Sequence, residues 1–192
     1  MRRIAGFIAL VVCLTAPTPF ADAQNSPATI TGTAPFSLGM ATAEAVAADP
    51  TLAPIATTAC GAPASSASYG TRVTAPIAGY PYVATATLCF SGGKLGAIYL
   101  TWPRGTFQED VVRWRLATYA LAGRLAASYG PGLVRRYAVD DDMGGVLEIA
   151  DGQGNLLTMT SKPGDDPYIT VTYMSAAYDQ AVNGKRITLT SY

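Results

Sequence analysis

The chain has no histidine in its 192 residues, and this absence removes whole classes of chemistry. A Ser-His-Asp triad, a His-ligated metal and imidazole acid–base catalysis all need the missing ring. Cysteine is scarce, limited to Cys13, Cys60 and Cys89. Charge is thin and balanced, 13 basic against 13 acidic side chains, so neither nucleic acid nor an anionic membrane is implied as the main partner. Beyond the first residues, no apolar run approaches the roughly 18 residues that a membrane-crossing helix needs.

The first residues read as a signal peptide, residues 1–23. Arg2 and Arg3 form a basic start, Ile4 to Ala16 a short apolar run, and Ala21-Asp22-Ala23 a small-x-small cleavage site. Val12 precedes Cys13 where a lipid-modified cysteine would want a small residue. Cleavage after Ala23 would leave 169 residues with 11 basic and 12 acidic side chains, net −1. The expected location is the periplasm or the outside of the cell, as a soluble protein without a membrane span. There, Cys60 and Cys89 are expected to pair as a disulfide. Closing that loop contributes roughly 3–4 kcal/mol in the chain-entropy model. Pairing argues against a cysteine nucleophile, and no cofactor or metal is expected.

What the sequence does have is a strong helix signal from Thr106 to Gly130. Thr106 and Glu109 have the spacing of a capping box. Glu109 and Asp110 place negative charge in the first turn, and Gly130-Pro131 ends the helix. Its large apolar residues span an arc of roughly 220°, wide enough to imply packing between a sheet and a second layer. Arg113 and Arg124 point the same way in the remaining wedge, beside Ala117, Ala120 and Ser128, with Glu109 placed to pair with Arg113. Arg115 falls inside the apolar arc. Either its stem snorkels over apolar neighbours, or it meets an internal carboxylate (Glu148 is the candidate), or it holds a ligand's acid group. Arg113, Arg115 and Arg124 are the candidate binding residues.

Residues 24–35 read as a flexible lead-in and 36–192 as one domain. A short helix follows Ala41, with Thr42 as cap and Glu44 in its first turn. Pro50 to Pro81, rich in Ala, Pro, Ser and Gly, reads as an irregular loop pinned by Cys60, with Ile55 to Cys60 as a candidate short strand. Tyr82–Phe90 and Leu95–Trp102 flank Ser91-Gly92-Gly93-Lys94, a hairpin signal. Val134–Val139 is a further strand. Val146–Ala150 and Leu156–Ser161 form another hairpin, and Tyr168–Met174 alternates as a strand. The tail from Ser175 stays open, with Arg186–Tyr192 either a strand or a frayed end. The fold class expected is α+β: an antiparallel sheet of hairpins with one long and one short helix packed on one face.

Few constellations suggest catalysis. Ser91-x-x-Lys94 matches the spacing of penicillin-recognising enzymes, but it sits in a glycine turn where that motif needs a helix. Asp140-Asp141-Asp142 and Asp151 with Asn155 lack the spacing of an EF-hand loop. Glu148 with Asp165 or Asp166 could serve glycoside hydrolysis only if they face one cleft. Arg104, Arg113, Arg115, Arg124, Arg135 and Arg136 concentrate basic charge around the long helix.

The run Phe36-x-Leu38-Gly39-Met40-x-Thr42-x-x-x-Val46, leading to a hairpin with Tyr82, Phe90 and a Gly-Gly-Lys-Leu turn, resembles a known opening. Small exported α/β modules of the SmpA/OmlA outer-membrane assembly lipoproteins and of β-lactamase inhibitory proteins begin this way. The chain departs from them in lacking a lipobox and in its Ala/Pro-rich insertion. The resemblance implies a helix-on-sheet fold and a binding or scaffolding role. The leading expectation is thus an exported protein that binds a protein or envelope component without catalysis. A small hydrolase using carboxylate or Ser/Lys chemistry, or a carrier of a small acidic ligand held by Arg115, are the alternatives.

Overall fold

The computed structural model describes residues 28–58, 60–61, 67–108, 110–140, 144–162 and 168–183. The main sheet has eight strands: β3 (Ala53–Pro54), β4 (Ala67–Val73), β5 (Ala84–Ser91), β6 (Lys94–Pro103), β7 (Val134–Asp140), β8 (Gly144–Ala150), β9 (Leu156–Lys162) and β10 (Tyr168–Met174). Their spatial order is β3-β4-β5-β6-β10-β9-β8-β7, with every neighbouring pair antiparallel. The two hairpin runs therefore join edge to edge where β10 meets β6. A separate two-stranded ribbon pairs β1 (Gly32–Thr33) with β2 (Phe36–Ser37).

The β5–β6 turn forms where its sequence requires it. Ser91 faces Lys94 across two glycines at φ +57° and +74°, the positive-φ pair of a tight hairpin turn that other residues resist. Strand alternation then sends Ala86, Leu88, Phe90, Ile98, Leu100, Trp102, Ile169 and Val171 to one face, where they form the main core.

Two helices cover that face: the short α1 (Thr42–Ala48), through Ala45, and the long α2 (Val111–Tyr129). This is the expected α+β arrangement, with differences in detail. Ala41, not Thr42, caps α1, and its N–H donates to the Glu44 carboxylate (2.6 Å). The start of α2 also moves. Thr106 lies in a 3-10 turn, Arg104–Phe107, and Asp110 caps the helix by accepting from the N–H groups of Val112 (2.8 Å) and Arg113 (3.2 Å). The turn seats Phe107, 2% exposed, against the Tyr82 ring 4.9 Å away. Burying that ring outweighs one hydroxyl cap. Glu109 lies outside the described residues.

Several elements were not expected, among them the ribbon strand β1, which falls in residues 24–35, read as a flexible lead-in. β4 runs through the Pro50–Pro81 stretch, paired with β5 along its length. Among the described residues of Ile55–Cys60 no strand forms; β3 pairs instead at Ala53 and Pro54, and Ile55 packs over Gly70. The tail forms a third helix, α3 (Ala176–Asn183), begun by Ser175, whose hydroxyl accepts from Tyr178 N–H (3.2 Å). It lies on the sheet face opposite α2, where Tyr178 packs so tightly on Gly96 that a Cβ there would lie 2.0 Å from the ring. The disulfide Cys60–Cys89 is formed on that side, in a small second cluster with Ala97 and Tyr178. Residues 186–192 lie outside the described residues.

Candidate binding site

The arginines singled out by sequence are all on α2, and the helix's orientation decides what they can do. Trp114, Ala117, Thr118, Leu121, Ala122 and Leu125 are buried toward the sheet. Ala117, expected in the exposed wedge, is only 5% exposed. The second layer implied by the wide apolar arc is not present among the described residues. Val112 and Leu116 are each 64% exposed, and Tyr119 is 41% exposed. With the exposed Ala120, Gly123 and Ala127 they form one stripe at helical spacing, about 22 Å long at 1.5 Å per residue.

Arg113 and Arg124 project along one side of this stripe, about 16 Å apart along the axis, and Arg115 lies on its other side. Arg113 is exposed, pairs with Asp110 (3.5 Å) and donates to the side-chain Oε1 of Gln108. Arg124 is exposed, with its guanidinium over Gly79. Arg115 is half-buried. Its proposed partner Glu148 is placed elsewhere. Leu147 and Ile149 point into the core beneath α2, so alternation sends Glu148 to the opposite face, across from Arg136 and Thr158. No carboxylate occurs within Val111–Tyr129.

The sheet face opposite α2 carries a pattern that the sequence reading missed. Register aligns Thr85, Thr101, Thr170 and Thr160 in one row across four strands, and Thr87, Tyr99, Thr172 and Thr158 in the next. The array holds no charge. Threonine suits a solvated strand face, where its branched carbon favours extended backbone and its hydroxyl meets water. The signal was readable as Thr-x-Thr in three strands, once their order was known.

A cleft of about 540 Å³ opens between the N-terminal segment, the β5–β6 turn, the β8–β9 turn and the start of α3. Beside it, Asp151 is 6% exposed and its carboxylate accepts from the N–H groups of Ile30, Gln153 and Asn155 (each 2.9 Å) and from the Asn155 side chain (3.0 Å). Its oxygens are thus committed to holding the chain together, which removes Asp151–Asn155 as a cation site. Among the described residues no three His, Cys, Asp or Glu side chains gather to hold a metal. Ser91 and Lys94 face each other across the hairpin turn, as the turn reading expects. Asp141, Asp142, Asp165 and Asp166 lie outside the described residues.

No protein-family model, no curated protein and no solved structure matches this chain.

Proposed function

We propose that this chain is an exported protein that binds a protein of the cell envelope, or one outside the cell, without catalysing a reaction, and that it does so through the outer face of α2. The observation that carries the reading is the Val112–Leu116–Tyr119 stripe, open to solvent and flanked on both sides by arginines. Burying the exposed parts of Val112 and Leu116 contributes on the order of 1–2 kcal/mol each. Flanking arginines supply specificity and attraction for carboxylates. The matching surface is an apolar ridge bordered by Asp or Glu. A second copy of this chain is a poor match, because an antiparallel helix pair would set Arg113 of one copy beside Arg124 of the other. The signal-like start and the Cys60–Cys89 disulfide support action in an oxidising compartment, periplasmic or secreted, and no helix of the described residues is long and apolar enough to cross a membrane. The helix-on-sheet arrangement is also the one implied by the SmpA/OmlA-type resemblance.

The test is a photocrosslinker at position 116, compared with one at Thr160 on the opposite face, in cells exporting the protein. A protein adduct at 116 alone, lost when Arg113→Glu and Arg124→Glu are combined, is expected. A lipid adduct, equal adducts at both positions, or none at 116 would overturn the reading.

A further inference from the structure

The cleft beside Asp151 lies away from the α2 stripe and has a composition of its own. Its volume of about 540 Å³ falls within the roughly 300–1,000 Å³ of small-molecule sites. Segments far apart in sequence form its walls and are tied to one another. Ile30 N–H donates to Asp151 (2.9 Å), and the Asn155 carboxamide bridges Ile30 carbonyl (3.4 Å) and Ala176 N–H (3.1 Å). Ser175 N–H donates to Gly96 carbonyl, and Gly39 N–H to Leu95 carbonyl (2.9 and 2.8 Å). Walls locked this way are formed before a ligand arrives, so binding does not have to order them.

The lining is lopsided in its chemistry. Ile30, Leu38 and Leu95 give it an apolar floor, and the hydroxyls of Ser37, Ser91 and Ser175 with the carboxamides of Gln153 and Asn155 surround it. Among the described lining residues Lys94 is the one charged side chain, and none of them carries a carboxylate. Asp151, behind the wall, already accepts four N–H groups. In the first turn of α3, Ala176 N–H is taken by Asn155 and Tyr178 N–H by Ser175. The positive charge left for a ligand is that of Lys94.

We infer that this cleft binds a small hydroxylated monocarboxylate of the sugar-acid class, its carboxylate on Lys94 and its hydroxyls on the serines and the Gln153 carboxamide. A single ammonium is a point charge matched to a monoanion, whereas a phosphate dianion calls for a guanidinium fork or several cations. This site is independent of the α2 stripe.

Calorimetric titration of the mature protein with D-glucuronate, D-glucose, acetate and glucose 6-phosphate tests the assignment. Glucuronate is expected to bind saturably and at least about tenfold tighter than the other three. Lys94→Gln is expected to weaken it about tenfold, the weight of one charge-assisted hydrogen bond. The variant's unfolding midpoint should not move, since Lys94 is exposed. Gln153→Ala, also at an exposed position, should weaken glucuronate and glucose alike, while Leu116→Glu should change neither. The inference is overturned by an absence of saturable glucuronate binding at millimolar concentration, by glucose binding equally well, by tighter binding of glucose 6-phosphate, or by indifference to Lys94→Gln.

Discussion

Replacing Tyr80 with phenylalanine should make the protein more stable. The Tyr80 ring is 2% exposed and packs edge-on against Trp102 (5.4 Å, 89°) and Tyr82 (5.0 Å, 63°). Its hydroxyl is shielded from solvent with no hydrogen-bond partner among the described residues. Burial also pushes the phenol's pKa well above its usual value, so the group stays neutral and still lacks an acceptor. An unpaired buried hydroxyl costs about 1–3 kcal/mol in lost hydration. Tyr80→Phe removes that oxygen and keeps both ring contacts, at the expense of a small void. The net expectation is a gain of about 1–2 kcal/mol, or a rise in Tm of about 2–8 °C for a chain of this size. Tyr178→Phe is the matched control. Its hydroxyl donates to the Cys60 carbonyl, so that substitution should destabilise by about 1–3 kcal/mol, including the orphaned acceptor. Urea unfolding of the two variants, compared at unchanged m, measures both signs. A loss of 1 kcal/mol or more at Tyr80 would refute the reasoning, because it would mean that the hydroxyl is held by a bond such as one to an enclosed water.

Removing the disulfide by Cys60→Ala with Cys89→Ala should cost about 3–4 kcal/mol, since it closes 29 residues of chain separation; a change in urea midpoint worth less than about 1 kcal/mol would contradict that. Asp110→Ala should cost about 1 kcal/mol as the lost cap of α2, and Thr106→Ala less than about half as much; the reverse order would return the helix start to Thr106. Hydrogen bonds from Thr51 and then Thr71 hold the Asp49 carboxyl below its ordinary 3.8. Its contribution is therefore present above the unfolded value and lost as pH falls through the lower folded one. Acid unfolding of the wild type should steepen below about pH 4 relative to Asp49→Asn, and parallel profiles would show that the carboxylate gains nothing on folding.

The hairpins and the long helix were legible because their signals are local. Gly92-Gly93 fixes a two-residue turn whatever surrounds it, and the apolar period of Val111–Tyr129 survives any change of neighbour. β4 was not legible for the opposite reason. Ala67-Ser68-Tyr69-Gly70-Thr71 lacks the bulk of a strand that forms on its own, and it extends because β5 offers a full row of partners and Ile55 fills the space over Gly70. α3 was hidden in the same way. Its short sequence is a weak helix former alone, and it is held by Asn155, Ser175 and the seat that Gly96 leaves for Tyr178. Glu148 went to the wrong partner because helix periodicity places Arg115 without saying which sheet face a strand residue will take.

The same distinction separates what the sequence says about the site from what only packing decides. Large apolar residues span an arc of roughly 220° on α2, and sequence alone reads that as burial on two sides. The sheet accepts only the arc from Ala117 to Ala122, where alanines let the backbone approach and Trp114, Leu121 and Leu125 fill the space. Val112 and Leu116 are then left facing water, and no described element covers them. A core explanation for these two residues is therefore excluded by geometry. Their substitution by glutamate should leave the urea midpoint within about 0.5 kcal/mol of wild type, as at other surface positions. If Leu116→Glu instead unfolded the protein, the stripe would belong to an intramolecular contact and the docking argument would fail with it. If the fold stands and Val112→Glu abolishes the protein crosslink formed from position 116, the exposed stripe is explained by an interface with another protein.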